Sequence, residues 1–309
     1  MDGDVCDRID AIIRDRIVPP RSKRETKSLC AIGNRLLRYL PASLNGLSEA
    51  VATATVHSAA LVGSPEAMTK LAAYANDSRN AVQEALLTAW PSFDLERYAE
   101  EVLADAPLNE GITNVESVRF FPHLFRLRHL KGVDVWLPPN EPQFHLRDLA
   151  ELPSPRYLYS WVSGDIDLSP LAPTKPHLLQ LMGAKRYSNL ESIPEVKFSL
   201  GLYQQEPWRS LDFLRGRRVR SLHLSGLAPD CDPRALTEVI GLRAMYCENW
   251  YDAEVFSLVP TLTRLTLKGA APIDLRPLRD RSLTLALRRR CTYVGVDELG
   301  PDVKVEWRG

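Results

Sequence analysis

The sequence predicts an α/β repeat protein in two parts. Residues 1–110 should form an all-helical block, and residues 111–309 a stack of short units that each add one strand to a parallel sheet. Three observations carry this reading. Apolar residues recur with a helical period before about residue 110 and with a period of two after it. In the second part a pair of apolar residues three apart keeps returning. Each return is followed by a short alternating run, clearest in "VRSLHLSGL" at 219–227, "LTRLTLKGA" at 262–270 and "SLTLAL" at 282–287.

The helical part is read from its stripes. Met68, Leu71, Ala72 and Ala75 stand at i, i+3, i+4 and i+7, as do Val82, Ala85, Leu86 and Ala89, and again Leu95, Tyr98, Ala99 and Val102. Ser64 is placed to cap the first of these, with Pro65 at the first helical position and Glu66 beside the positive dipole end, and Asp94 to cap the third. "NDSRN" at 76–80 makes the turn between the first two. Upstream, "VCDRIDAIIRDRIV", the stretch around Leu29, Ile32, Gly33 and Leu36, and "GLSEAVATATVHSAALVG" predict three more helices. Helix pairs of this length joined by tight turns resemble HEAT-type repeats.

The second part is read from its spacing. The apolar pairs are Leu146/Leu149, Leu168/Leu171, Leu190/Ile193, Leu211/Leu214, Leu236/Val239, Val255/Leu258, Leu275/Leu278 and Val296/Leu299, at offsets of 22, 22, 21, 25, 19, 20 and 21. That period is the one assigned to leucine-rich repeats. In "DLSPLAPTKPHLLQLMG" (167–183), "LSPL" is then the return segment and "LLQLM" the strand. One such unit cannot bury its strand; stacked neighbours close the core. Such repeats often carry an asparagine or cysteine just past the strand to bond the turn backbone, but here that place holds Leu227, Trp250 and Ala270, and Gln205 in a weaker copy. The expectation is an irregular leucine-rich-repeat solenoid without a side-chain ladder, its parallel sheet on the concave face.

Composition limits the function. Over 309 residues, 39 basic and 39 acidic side chains cancel, which disfavours nucleic acid or an anionic membrane as default partners. No stretch approaches a membrane span, and the acidic start "MDGDVCDRID" is not that of a signal peptide, so a cytoplasmic location is expected. Five cysteines (Cys6, Cys30, Cys231, Cys247 and Cys291) with no CxxC spacing argue against a disulfide framework and a zinc ribbon.

"IVPPRSKRETKSLCAIGNRLL", then "AALVGSPEAMTKLAAYANDSRNAVQEALLTAWPSFDLERYAEEVL", then repeated "DLSPL"-like units together resemble the C-terminal part of actinobacterial NACHT-type NTPases of the STAND class, bacterial relatives of NOD-like immune receptors. The resemblance runs through nearly the whole chain in order. It implies a sensor region that holds an upstream NTPase switch inactive until a ligand, such as a phage-derived protein, is recognised. The NTPase domain itself is missing from the sequence, so the chain is either a sensor fragment started at an added Met1 or a stand-alone relative.

No stretch reads as a catalytic centre. "GSPEAMTK" at 63–70 lacks the second glycine of a phosphate loop, and its lysine follows the threonine instead of preceding it; a capped helix start accounts for each residue. His57 lies inside an apolar helix, while His123, His129 and His145 lack metal spacing. Glu100 and Glu101 belong to a solvated helix face, and Cys247 takes an inward strand position without a neighbouring base. The expectation is a protein that binds and does not catalyse, with no metal and no cofactor.

The informative surface is the exposed side of the strands. Alignment places Gln180, Gly201, His223, Tyr246, Thr266 and Lys304 between the inward residues, flanked by Lys197, Tyr203, Ser221, Arg264 and Glu248. Aromatic and arginine side chains held across a rigid face are typical protein-binding anchors. Two arginine-rich runs, "RGRRVR" (Arg215, Arg217, Arg218, Arg220) and "RRR" at 288–290, would form a secondary basic rim that either solubilises the edge or grips a partner. The function expected is ligand sensing through the concave face, with a self-standing adaptor or scaffold as the alternative.

Overall fold

The computed structural model describes residues 33–108, 112–141, 144–248, 253–269 and 272–308, together with Arg8, Ala11 and Ile12. The chain is a mixed α/β protein with a large parallel sheet and helices. It divides into two compact units, Met1–Thr113 with Arg119–Val133, and Asn114–Val118 with Asp134–Gly309.

In the first unit the caps expected at Ser64 and Asp94 are found, while the helix at Asn80–Ala89 starts after Arg79 without a side-chain cap. Helix α1 (Glu49–Val62) is capped by Ser48 and closed by Gly63 in the left-handed region; α2 (Pro65–Ala72) follows with the Ser64 hydroxyl accepting from the Ala67 amide at 3.2 Å. Helix α3 spans Asn80–Ala89. Helix α4 (Leu95–Tyr98), capped by Asp94, widens into a π-helical turn at Ala99–Leu103, and a short α5 covers Phe121–Leu124. Small residues on α1, Ala52, Val56, Ala59 and Ala60, are buried and let α2 and α3 approach closely. Two buried polar groups of this core are bonded to backbone: the Tyr98 hydroxyl donates to the Leu86 carbonyl at 2.9 Å, and the Gln83 amide nitrogen donates to the Ala75 carbonyl at 2.9 Å. Gly33–Arg38 forms a 3₁₀ turn where a helix was expected; of the first expected helix only Arg8, Ala11 and Ile12 are described, all helical, and Leu29 and Ile32 lie outside the described residues.

The large sheet has ten strands among the described residues: β1 (Ile112–Val115), β2 (Gly132–Leu137), β3 (Pro155–Trp161), β5 (Leu178–Ala184), β7 (Ser199–Gln204), β8 (Ser221–Leu224), β9 (Ala244–Glu248), β10 (Arg264–Lys268), β12 (Leu283–Arg288) and β14 (Val303–Arg308), ordered as the chain runs. Two small parallel pairs, β4 (Asp165–Asp167) with β6 (Arg186–Ser188) and β11 (Ile273–Asp274) with β13 (Tyr293–Val294), lie outside it. From β3 to β14 every pairing is parallel, as it must be when successive units travel out and back in the same sense.

Register follows the leucines. Leu158, Leu179, Leu200, Leu222, Met245, Leu265 and Leu285 face each other strand to strand, and all are buried. A second inward row runs Ser160, Leu181, Leu202, Leu224, Cys247, Leu267, Leu287. Each such leucine contributes about 1.5–3 kcal/mol by leaving water. The return segments close the other side of this core. Helix α6 (Leu146–Ala150), helix α7 (Glu254–Ser257) and 3₁₀ turns such as Ser169–Leu171, Asp212–Leu214 and Arg276–Leu278 bury Leu149, Leu168, Leu171, Leu211, Leu214, Leu275 and Leu278. Pro170 occupies the first turn of its 3₁₀ segment, where its missing amide costs nothing.

Three expectations are corrected here. Leu258 is 56% exposed, and Val259 fills the core in its place, because this return segment is an α-helical turn, in which the residue four after Val255 lies on the same face. Val296 and Leu299 are only half-buried. The turn backbone is also bonded by side chains after all, but by tyrosines. The Tyr187 hydroxyl donates to the Leu181 carbonyl at 2.8 Å, and the Tyr293 hydroxyl donates to the Leu267 carbonyl and accepts from the Arg288 amide, both at 3.0 Å. Of the predicted turn positions, Leu227 is buried and bridges to Trp208, Gln205 donates to the Gly183 carbonyl at 3.3 Å, and Trp250 and Ala270 lie outside the described residues.

Candidate recognition surface

Alternation sends every other residue of these strands to the opposite side of the sheet. Three rows result. The middle one runs Tyr159, Gln180, Gly201, His223, Tyr246, Thr266, Ala286, Glu306. Two residues earlier along each strand lie Tyr157, Leu178, Ser199, Ser221, Ala244, Arg264, Thr284 and Lys304. Two residues later, Trp161 pairs with Met182, Glu248 with Lys268, and Arg288 with Arg308. Lys304 therefore belongs beside Thr284 and Arg264 and not in the middle row, where Glu306 stands.

The rows hold one another. His223 is set between two hydroxyls, with Nδ1 3.1 Å from Tyr203 Oη and Nε2 3.1 Å from Ser221 Oγ, and its ring stacks on Tyr246 at 5.7 Å. Burial holds the His223 pKa below its ordinary value and pushes the Tyr203 phenol up. The Tyr246 hydroxyl donates to Glu248, which also receives Lys268 Nζ at 2.7 Å. Arg264 reaches across β12 to Glu306 at 2.6 Å. Gln180 lies over Gly201, where a Cβ would stand 2.7 Å from its Cγ. Thr266 is half-buried beside Tyr246, and Lys197, exposed ahead of β7, places Nζ 5.2 Å from the Phe198 ring centre.

Sequence alignment on leucines missed the largest side chains of this face. Trp136 on β2 stacks on Tyr159 with ring centres 5.2 Å apart; it is 43% exposed and Trp161 is 37% exposed. Their signal was the alternation in "VDVWL" and "RYLYSW", hidden because Ser160 takes an inward place that leucine fills in the next strand. Nearby, Asp134 is half-buried with Oδ1 unbonded, and burial, opposed by Arg156 and His177, raises its pKa.

The "RGRRVR" arginines separate into different roles. Arg217 is turned inward and donates to the carbonyls of Phe213 and Ile193 at 2.6 Å, of Glu191 at 2.9 Å and of Leu190 at 3.3 Å, clamping one return segment to the previous one. Arg281 repeats the device on Ser257 and Val259. Arg215 pairs with Asp212 at 2.7 Å and with Glu238, whereas Arg218 and Arg220 are exposed.

The residues weighed for chemistry are placed otherwise. In the "GSPEAMTK" stretch Thr69 Oγ1 turns back to the Pro65 carbonyl at 3.2 Å, and Glu66 accepts from Asn34. Cys247 is buried, which pushes its thiol pKa up. Glu100 is bonded to Arg126 and Glu101 to Arg97. His57 is half-buried in α1, His123 Nδ1 is buried with no hydrogen-bond partner, and His129 and His145 are exposed. Among the described residues no group of three His, Cys, Asp or Glu side chains could hold a metal ion, and no helix is long and apolar enough to cross a membrane.

Comparison with protein-family models, with curated proteins and with solved structures found no match to this chain.

Proposed function

We propose that the chain is the ligand-sensing, protein-binding region of a bacterial NACHT-type receptor, a relative of NOD-like immune receptors acting in anti-phage defence. In this reading the helices of the first unit are a HEAT-like block, and the 19–23-residue steps between successive strand starts are irregular leucine-rich repeats whose concave face meets the ligand. The observation that carries it is the outward side of the sheet. Tyr203, His223, Tyr246 and Glu248 are fixed there by one another and Arg264 by Glu306, and Gln180, Lys197 and Thr266 stand around them. A side chain already immobilised loses little entropy on binding, which favours a preformed protein-recognition surface.

The test is made in the intact receptor, with the chain joined to the NTPase module expected upstream in its reading frame. Nucleotide hydrolysis should stay low until phage protein is supplied. Tyr246→Ala combined with Arg264→Ala should suppress that response while the Tm of the chain stays within a few degrees of wild type. An NTPase indifferent to phage protein, or full activation of the folded double variant, removes the reading.

A further inference from the structure

The outward side of the sheet is divided chemically. From Tyr157 on β3 to His223 on β8 the outward positions are aromatic, aliphatic, amide, hydroxyl or imidazole, with no lysine, arginine or carboxylate among them. From β9 to β14 the same rows carry five cations, Arg264, Lys268, Arg288, Lys304 and Arg308, against two carboxylates, Glu248 and Glu306. Both carboxylates are already engaged, Glu248 by Lys268 and Glu306 by Arg264 and, at 3.5 Å, by Arg308. Arg288 and Arg308 stand directly opposite each other on adjacent parallel strands. Like charges in that relation repel, and with five cations against two carboxylates this side of the face attracts an acidic partner.

We propose that this face binds a protein segment with two features, an apolar or aromatic cluster that sits against Trp136 and Trp161 and an acidic cluster that sits over Arg288, Lys304 and Arg308. The inference rests on the recognition reading above and names its ligand chemistry. Six strand spacings separate β3 from β12, about 29 Å at 4.8 Å each. An extended chain covers that distance in about nine residues. The two clusters are therefore expected about seven to ten residues apart. Single-stranded nucleic acid also stacks on aromatic rings, but it would lay phosphates along the strands from β3 to β8, whose own outward positions carry no cation and which Lys197 flanks ahead of β7. Segregated zones fit a ligand whose own charge is segregated.

The experiment selects displayed 16-residue random peptides on the full chain and measures the winners by fluorescence anisotropy, with oligodeoxythymidine as a second probe. The expected winners carry an acidic cluster separated from an apolar one, lose affinity between 50 and 300 mM salt, and bind about tenfold or more weaker to two variants. One is Lys304→Glu with Arg308→Glu, the other Trp136→Ala with Trp161→Ala; all four positions are exposed. Lys304→Gln with Arg308→Gln, a milder change, should lose less than the charge reversal. Winners without acidic bias that are still lost in the tryptophan variant would overturn the inference and leave the recognition face standing. Winners indifferent to both variants, or no winners, would overturn both. Oligodeoxythymidine bound more tightly than any peptide, and released by the charge reversal, would assign the face to nucleic acid and overturn the inference.

Discussion

The Tyr203 hydroxyl stands 3.1 Å from Nδ1 of His223, one strand over, so two outward residues of the sheet are bonded to each other. That bond makes His223 more than a solvated side chain on a polar face. Leu222→Ala and Leu265→Ala, at positions with no exposed surface, should each cost about 2–5 kcal/mol in urea denaturation. His223→Ala, which gives up two hydrogen bonds, should cost about 1–2 kcal/mol. If His223→Ala proved the more damaging, the inward assignment of Leu222 would be wrong.

Protonation of His223 opposes folding. Its folded pKa lies below the ordinary 6.5, with burial as the cause, so the unfolded chain takes up protons first as pH falls. The contribution is fully present above pH 6.5 and is lost as pH drops toward the folded value. His177, lowered by burial and by Lys197 and Arg156, acts in the same direction. Wild-type Tm should fall from pH 7.5 to 5.5, and His223→Gln should fall less over that interval. Parallel curves would show that His223 is not a source of the dependence.

Asp134 has the opposite sign. Its pKa is raised above the ordinary 3.8 chiefly by burial, so the folded chain holds the proton longer, and stability declines as pH rises through this window. Asp134→Asn should raise Tm at pH 7, with the gain vanishing near pH 3.5. A lower Tm at pH 7 would mean that the attraction of Arg156 outweighs burial.

Arg217 and Arg215 sit two residues apart but should behave differently. Arg217→Ala leaves four carbonyls without their donor and should cost about 1.5–3 kcal/mol. Arg215→Ala removes exposed ion pairs that water and salt screen, and should cost clearly less than Arg217→Ala. Equal costs in thermal melts would contradict the clamp.

Gly183 should resist replacement where Gly201 does not. At Gly183 φ is +88° and a Cβ would stand 2.9 Å from the Val162 carbonyl oxygen, backbone that cannot step aside. At Gly201 the obstacle is the flexible Gln180 side chain. Gly183→Ala should lower Tm clearly more than Gly201→Ala, and the reverse order would refute the local geometry.

Strand register was legible wherever leucine stood at both inward places. "SLHL" fixed Leu222 and Leu224 inside and His223 outside, as found. It survived on β9, where Met245 and Cys247 take the inward places, but failed on β3, where polar Ser160 broke the apolar pattern and Tyr159 and Trp161 went unread. Counting from the apolar pair put Lys304 in the wrong row, because return segments vary in length and shift the strand start by two residues without changing its face. The role of Arg217 had no local signal, since its acceptors lie up to 27 residues back along the chain. A side chain that bonds distant backbone leaves no mark in the pattern around it.

The arginine clamps also bear on how the chain yields to force. Neighbouring strands are about one unit apart in sequence, so pulling on the ends should peel the sheet unit by unit, each release lengthening the tether by about 7 nm for a 22-residue loop. Arg217 and Arg281 fasten a unit to the one before it, so the boundaries they cross should hold to a higher load than their neighbours. The sawtooth recorded in a single-molecule trace would then be uneven, with its taller teeth marking two stitches in an otherwise uniform seam.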